Sequence, residues 1–197
     1  MAHQVVDLEC PGCGASITTS TQHCEYCGRQ IVITTFNSVR GMTPLDINKQ
    51  ANAYRKAMAQ NPDDQTLNAS IAFCYFKLKL YDKAIPHFEK AIEDNFDNSE
   101  TYFYLAISLL KGKKAFLTPR PVIDKIEEYL DAAMMIEPKG IYYYFKAYIR
   151  YDHHFRKSYN MSPNYKQLLM QAQQAGLSQT DVRELYELLG VSRPDCM

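Results

Sequence analysis

The chain of 197 residues has no surplus of charge: its 22 Lys and Arg are matched by 22 Asp and Glu. The overall balance draws it neither to nucleic acid nor to an anionic membrane, so partners must be argued from local features. No apolar run approaches the roughly 20 residues that span a bilayer, and the opening MAHQVVDLEC lacks the basic start and apolar core of a secretory signal. These absences predict a soluble, cytoplasmic protein without a membrane partner. A disulfide framework is missing too. Four of the six cysteines crowd into residues 10–27, while Cys74 lies in a helical pattern and Cys196 is penultimate, which is the usage of a metal site.

What is present begins with CPGCGASITTSTQHCEYCG, two Cys-x-x-Cys-Gly hooks. Each hook can turn two thiolates to one side, and two hooks on a folded-back strand pair complete a tetrahedron suited to Zn(II), with Cys10, Cys13, Cys24 and Cys27 as ligands. Gly14 and Gly28 follow the second cysteine of each hook, where a sharp turn with positive φ lets backbone N–H groups face the sulfurs. ASITTSTQH reads as a hairpin arm, and RQIVITTF (29–36) alternates into a further strand. Over about residues 8–36 the pattern resembles the short zinc-ribbon family.

One structural Zn(II) is the reading favoured over iron or a redox dithiol, because a redox Cys-x-x-Cys opens a helix in a βαβ setting that is missing here. His23 is redundant beside four thiolates. A closed four-thiolate shell leaves no position for substrate or water, so zinc hydrolysis is not expected. A module of this size buries too little apolar area to fold alone, whereas zinc supplies about 10–16 kcal/mol of apparent binding energy. Arg29 and Arg40 stand against Asp7, Glu9 and Glu25 in the first 40 residues. No basic patch is present there, and docking to protein is preferred to nucleic acid.

NSVRGMT (37–43) reads as a polar connector, and after Pro44 the apolar spacing changes from period 2 to that of helices. Residues 65–98 form a 34-residue unit with Ile71, Ala72 and Tyr75 on a first helix and Tyr81, Ala84, Phe88 and Ala91 on a second. The small residues let backbones approach while the rings fill the spaces between. This unit resembles a tetratricopeptide (TPR) repeat, although Asn68 and Phe96 replace the family's usual aromatic and proline. Looser copies follow: Tyr102, Leu105 and Ala106 with Ile126, Leu130 and Ala133, then Tyr144, Ala147 and Tyr151 with Tyr165, Leu169 and Ala172. Tyr54, Ala57 and Pro62 mark a lone helix upstream. A last helix starts at a capping box, Ser178 to Asp181, and runs through Val182, Leu185, Tyr186 and Leu189 to Gly190. The expected fold is mainly α, a TPR-like α-solenoid of helix pairs with a small N-terminal β zinc ribbon. The expected division is 1–36 ribbon, 37–43 linker, 44–176 repeats, and 177–197 capping helix and tail.

No nucleophile and base combination appears, so the protein is expected not to be an enzyme. His153 and His154 are adjacent and point about 100° apart on a helix, which cannot clasp one metal. Cys74 is read as a buried structural thiol. Residues 141–170 place Lys146, Arg150, Arg156, Lys157 and Lys166 against Asp152 among many tyrosines, a mixture that can grip single-stranded nucleic acid, but the reading favoured over that one is tyrosines in a repeat core with the charges on its solvated face. In TPR proteins the first helices line a groove, and the resemblance places Phe73, Phe76, Lys77, Phe103, Ile107, Tyr142, Phe145 and Ile149 on that wall. With Ala69 and Phe73 at positions where some TPR domains carry carboxylate clamps, a chaperone-tail receptor is not indicated. The sequence thus predicts a cytoplasmic adaptor that holds a protein or peptide partner, an amphipathic helix being one candidate, with self-association open. The alternative is a nucleic-acid-associated factor using the ribbon and the tyrosine-rich basic region.

Overall fold

A computed structural model of the chain describes residues 5–93 and 97–197, and it is mainly α with a small N-terminal β part. Residues 1–4, at the start of the expected ribbon, and Phe96, at the repeat's proline position, lie outside the described residues. The chain divides into two compact units, Met1–Phe96 and Asp97–Met197.

In the first unit, β1 (Asp7–Glu9) and β2 (Ser16–Thr18) pair antiparallel with Leu8 opposite Ile17, and both of these side chains are buried. The strand expected over residues 29–36 is not formed. A single bridge joins His23 to Gln30, and beyond it the backbone finds its partners on helix side chains. Gln50 Nε2 donates to the Gln30 carbonyl at 2.9 Å and Tyr54 Oη to the Ile31 carbonyl at 2.6 Å. The Ile33 amide donates to Ser70 Oγ, and that hydroxyl donates back to the Ile33 carbonyl. The period-2 alternation survives, with Ile31 and Ile33 fully buried, because backbone groups taken out of water need partners but not necessarily strand partners.

Those side chains belong to α2 (Pro44–Met58) and α3 (Gln65–Lys77), which pack together. Thr43 caps α2, accepting from the Asp46 amide, and Asp64 caps α3 in the same way through Leu67. The expected polar connector is the short helix α1 (Asn37–Arg40). It lies against α3, with Val39 buried and the preceding Phe36 ring edge-on to Phe76 at 5.4 Å. The apolar positions of 36 and 39 explain why this stretch docks instead of running free. α4 (Tyr81–Ile92) folds back along α3, burying Ala84, Phe88 and Ala91 and setting Phe88 edge-on to Phe73 at 5.2 Å.

The second unit pairs α5 (Ser99–Leu110) with α6 (Arg120–Ile136), and α7 (Gly140–Ile149) with α8 (Tyr165–Gln174). The enlarged turn between α5 and α6 holds a 3₁₀ turn, Ala115–Leu117. α7 runs on into one π turn, Arg150–His154, and a 3₁₀ turn, Phe155–Lys157. α9 (Gln179–Leu189) opens on the expected capping box, in which Ser178 and Asp181 each accept from the other's amide. Its stripe of Val182, Leu185, Tyr186 and Leu189 is buried, and the helix packs on α7 and α5. Among the described residues no helix is long and apolar enough to cross a membrane.

Tyr54 is the pivot of the first unit, since its hydroxyl accepts from Gln50 and donates to Ile31 in a fully buried setting. Tyr54→Phe leaves a carbonyl unsatisfied and is expected to cost about 1–3 kcal/mol in urea denaturation. Tyr26→Phe, on an exposed hook tip, is expected to stay within about 0.5 kcal/mol.

Candidate metal centre and helix faces

The two hooks are built alike. Cys10 and Cys24 each donate an amide to the residue five further on, Ala15 and Arg29, at 2.8 Å, and each accepts from the glycine four further on, Gly14 at 2.9 Å and Gly28 at 2.8 Å. Both glycines have positive φ, 77° and 70°, a conformation that side chains disfavour. These turns bring the sulfurs of Cys10, Cys13, Cys24 and Cys27 within 4.8 Å of one another. The set can hold one metal ion.

Its electrostatics point the same way. Burial opposes ionisation of Cys10, but the amides of Cys13 and Gly12 and the thiols of Cys27 and Cys24 lower it to about 7. At Cys27 the Arg29 amide favours the thiolate, yet desolvation and the other three thiols push it up to about 12. Four thiolates this close repel, so they ionise together only around a cation. His23 is exposed and outside the cluster. Two of the sulfurs, those of Cys10 and Cys24, belong to buried residues and two to exposed ones, so the centre sits at the surface of the first unit. It is tied to α2 by Arg29 with Asp46 at 3.1 Å and Lys56 with Glu9 at 3.0 Å.

The expected groove wall is corrected by burial. Phe73, Phe76, Phe103, Ile107, Tyr142, Phe145 and Ile149 are all at most 5% exposed, so they do not form an open apolar surface. Phe73 and Phe76 pack on Phe88, and Phe76 also meets Phe36 and Tyr81. Phe103 meets Tyr142 at 4.8 Å and Phe145 at 5.9 Å. Lys77 is half-buried and donates to the Arg40 carbonyl at 2.6 Å. The physical reason is that bare rings are costly in water, and the chain's own segments cover these helices: residues 30–40 on α3, and α9 on α5 and α7. The residues that meet α9 are Tyr144 and Tyr148, whose rings stand edge-on to Tyr186 at 6.2 and 5.7 Å. Their i, i+4 spacing was the available signal.

Other residues weighed in the sequence fall into place. Cys74 is fully buried, and burial pushes its thiol up. His87 Nδ1 stands 2.8 Å from Asn68 Oδ1, and burial followed by Lys90 lowers its pKa. His153 and His154 are buried with rings at 84° to one another. Tyr142, Tyr144 and Tyr148 of the basic region are buried, while Tyr159 and Phe155 are about half exposed.

Sequence reasoning missed a buried charge cluster. Glu127 accepts an ion pair from Arg150 Nε at 2.7 Å and lies 3.1 Å from His154 Nε2. The signal was its register, because Glu127 occupies the apolar stripe of Ile123, Leu130 and its neighbours. Asp152, also buried, accepts from the Phe116 amide at 2.8 Å and the Tyr148 hydroxyl at 3.3 Å, which fastens the 3₁₀ turn to the π turn.

No protein-family profile and no curated protein sequence matches the chain. Among solved structures it is similar to MamA MSR-1 C2, at 18% identity and a TM-score of 0.47, over 72% of this chain and 68% of that one.

The thiols give a direct check on the centre. With metal bound, Cys196 should react with a thiol reagent while the four hook thiols are protected. A strong chelator should release about one equivalent of metal and expose those four. Cys74 should react only on denaturation. Hook thiols that react at the same rate with and without chelator would contradict the assignment.

Proposed function

We propose that the chain is a non-enzymatic, cytoplasmic adaptor of the ribbon-plus-TPR kind. The four-cysteine centre takes one structural Zn(II), and the helix pairs receive an amphipathic segment of a protein partner. Zinc suits the donor set because four thiolates at mutual contact favour a soft, tetrahedral ion without redox chemistry. A shell filled by Cys10, Cys13, Cys24 and Cys27 has no place for water, so its contribution is folding energy.

One observation carries the adaptor reading: α9 is an amphipathic helix seated on α5 and α7 through Val182, Leu185, Tyr186 and Leu189. A helix-in-groove partner would offer this same i, i+3, i+4, i+7 pattern. The face built by Tyr144 and Tyr148 is therefore suited to such a helix, from this chain or from another. The burial of Tyr142, Tyr144 and Tyr148 removes three rings on which bases could stack, which favours a protein partner over single-stranded nucleic acid.

Exchange of α9 tests this. A chain ending at Leu177 should keep its helical circular dichroism and bind a labelled peptide of residues 178–190 saturably in fluorescence anisotropy. The Tyr186→Asp peptide should bind at least tenfold more weakly. Loss of the helical signal on truncation would make α9 part of an inseparable core and remove this face from consideration.

A further inference from the structure

The π turn at Arg150–His154 faces a cleft of about 300 Å³ that the adaptor reading does not use. Arg150, His154, Tyr159, Asn160, Tyr165 and Lys166 line it, and no acidic residue does. A π turn widens the helix by one residue and re-aims its side chains, and such turns recur at functional sites. Here it turns Arg150 and His154 inward, leaving them 7% and 1% exposed.

Both side chains are incompletely satisfied. Arg150 is paired electrostatically with Glu127, yet neither its Nε nor its Nη1 has an aligned hydrogen-bond partner among the described residues. His154 has Nε2 beside the Glu127 carboxylate, while its Nδ1 has no partner. Burial, then Arg150 and His153, push this imidazole down to about 4, so it is neutral near pH 7. With the proton on Nε2 directed at Glu127, Nδ1 presents a lone pair. Arg150, His154 and Lys166 all line the cleft, with Arg150 Nε and Nη1 and His154 Nδ1 buried and unpartnered in its wall. Native structures rarely leave such groups without a partner.

We infer that this cleft binds a small molecule bearing a compact oxyanion, phosphate or carboxylate, held by Arg150 and Lys166 and flanked by the rings of Tyr159 and Tyr165. Glu127 offsets the charge of Arg150, and Lys166 leaves the cleft cationic. A planar guanidinium matches the paired oxygens of either anion. The cleft volume lies at the small end of ligand sites, which suits a single ring with its anion better than an extended peptide.

Calorimetry on the full chain with phenyl phosphate, benzoate, inorganic phosphate and benzyl alcohol tests the inference. Phenyl phosphate or benzoate should bind saturably at one per chain, with the tighter of the two identifying the anion type. Inorganic phosphate should bind about tenfold more weakly for want of the ring contact, and benzyl alcohol not at all. Lys166→Met, on an exposed position, should weaken binding about tenfold. Arg150→Lys keeps the charge beside Glu127 but loses the fork, and it should abolish binding while the circular dichroism is unchanged. Should Arg150→Lys unfold the protein, Lys166→Met decides the matter. No saturable binding of any anion, or binding indifferent to Lys166→Met, overturns the proposal. So does a single-stranded oligonucleotide that binds more tightly than phenyl phosphate and displaces it.

Discussion

The first helices α3, α5 and α7 carry more ring and branched-chain surface than water tolerates, and the course of the chain at both ends follows from that constraint. At roughly 25 cal/mol per Å² of apolar area, a bare row such as Phe73 and Phe76, or Phe103, Ile107 and Phe145, would forfeit several kcal/mol. The second helix of each pair covers only one side. In the first unit the remaining side is taken by residues 30–40, which insert Ile31, Ile33, Phe36 and Val39. In the second it is taken by α9. The two covers differ in kind, one an extended segment with a short helix and the other a capped amphipathic helix, yet each supplies apolar side chains at the spacing its neighbours accept.

Covering an apolar face with backbone brings polar groups into the interior, and the first unit handles this with side-chain donors. Gln50, Tyr54 and Ser70 satisfy carbonyls and an amide that a strand neighbour would otherwise serve. These contacts also make the ribbon part of the helical unit. A metal ion held at the hooks would therefore bear on more than the hooks themselves, because the chain between Cys27 and α2 lies between the four-cysteine set and the α3 face.

The second unit buries charge as well. Glu127, Arg150 and His154 sit together inside, and Asp152 gathers the Phe116 amide, the Tyr148 hydroxyl and Arg156. Replacing a buried ion pair by apolar residues is often neutral or stabilising, so retention of an incompletely bonded arginine in a cleft is poorly explained by stability alone. Asp152 is different. Its acceptors are used, and it serves to hold the enlarged α5–α6 turn against the end of α7.

Local patterns in the sequence were enough to place the four-cysteine set, the helix pairs and the capped last helix. Ligand spacing, the capping box at Ser178 and Asp181, and the 3.6-residue apolar stripe all act within a few residues, and their physics does not depend on distant chain. The alternation of Ile31 and Ile33 likewise declared two faces. Only the tertiary structure decided that no strand pairs there, since alternation says nothing of which groups will bond the backbone, and the donors lie 20 to 37 residues away. The same limit applies to the groove: helical periodicity marks Phe103 as facing an apolar neighbour without saying that the neighbours are the chain's own Tyr142 and Phe145 and not a partner. It applies also to Glu127, whose register looked apolar until the fold brought Arg150 and His154 beside it, because the partners of a buried charge are chosen in space and leave no fixed interval along the chain.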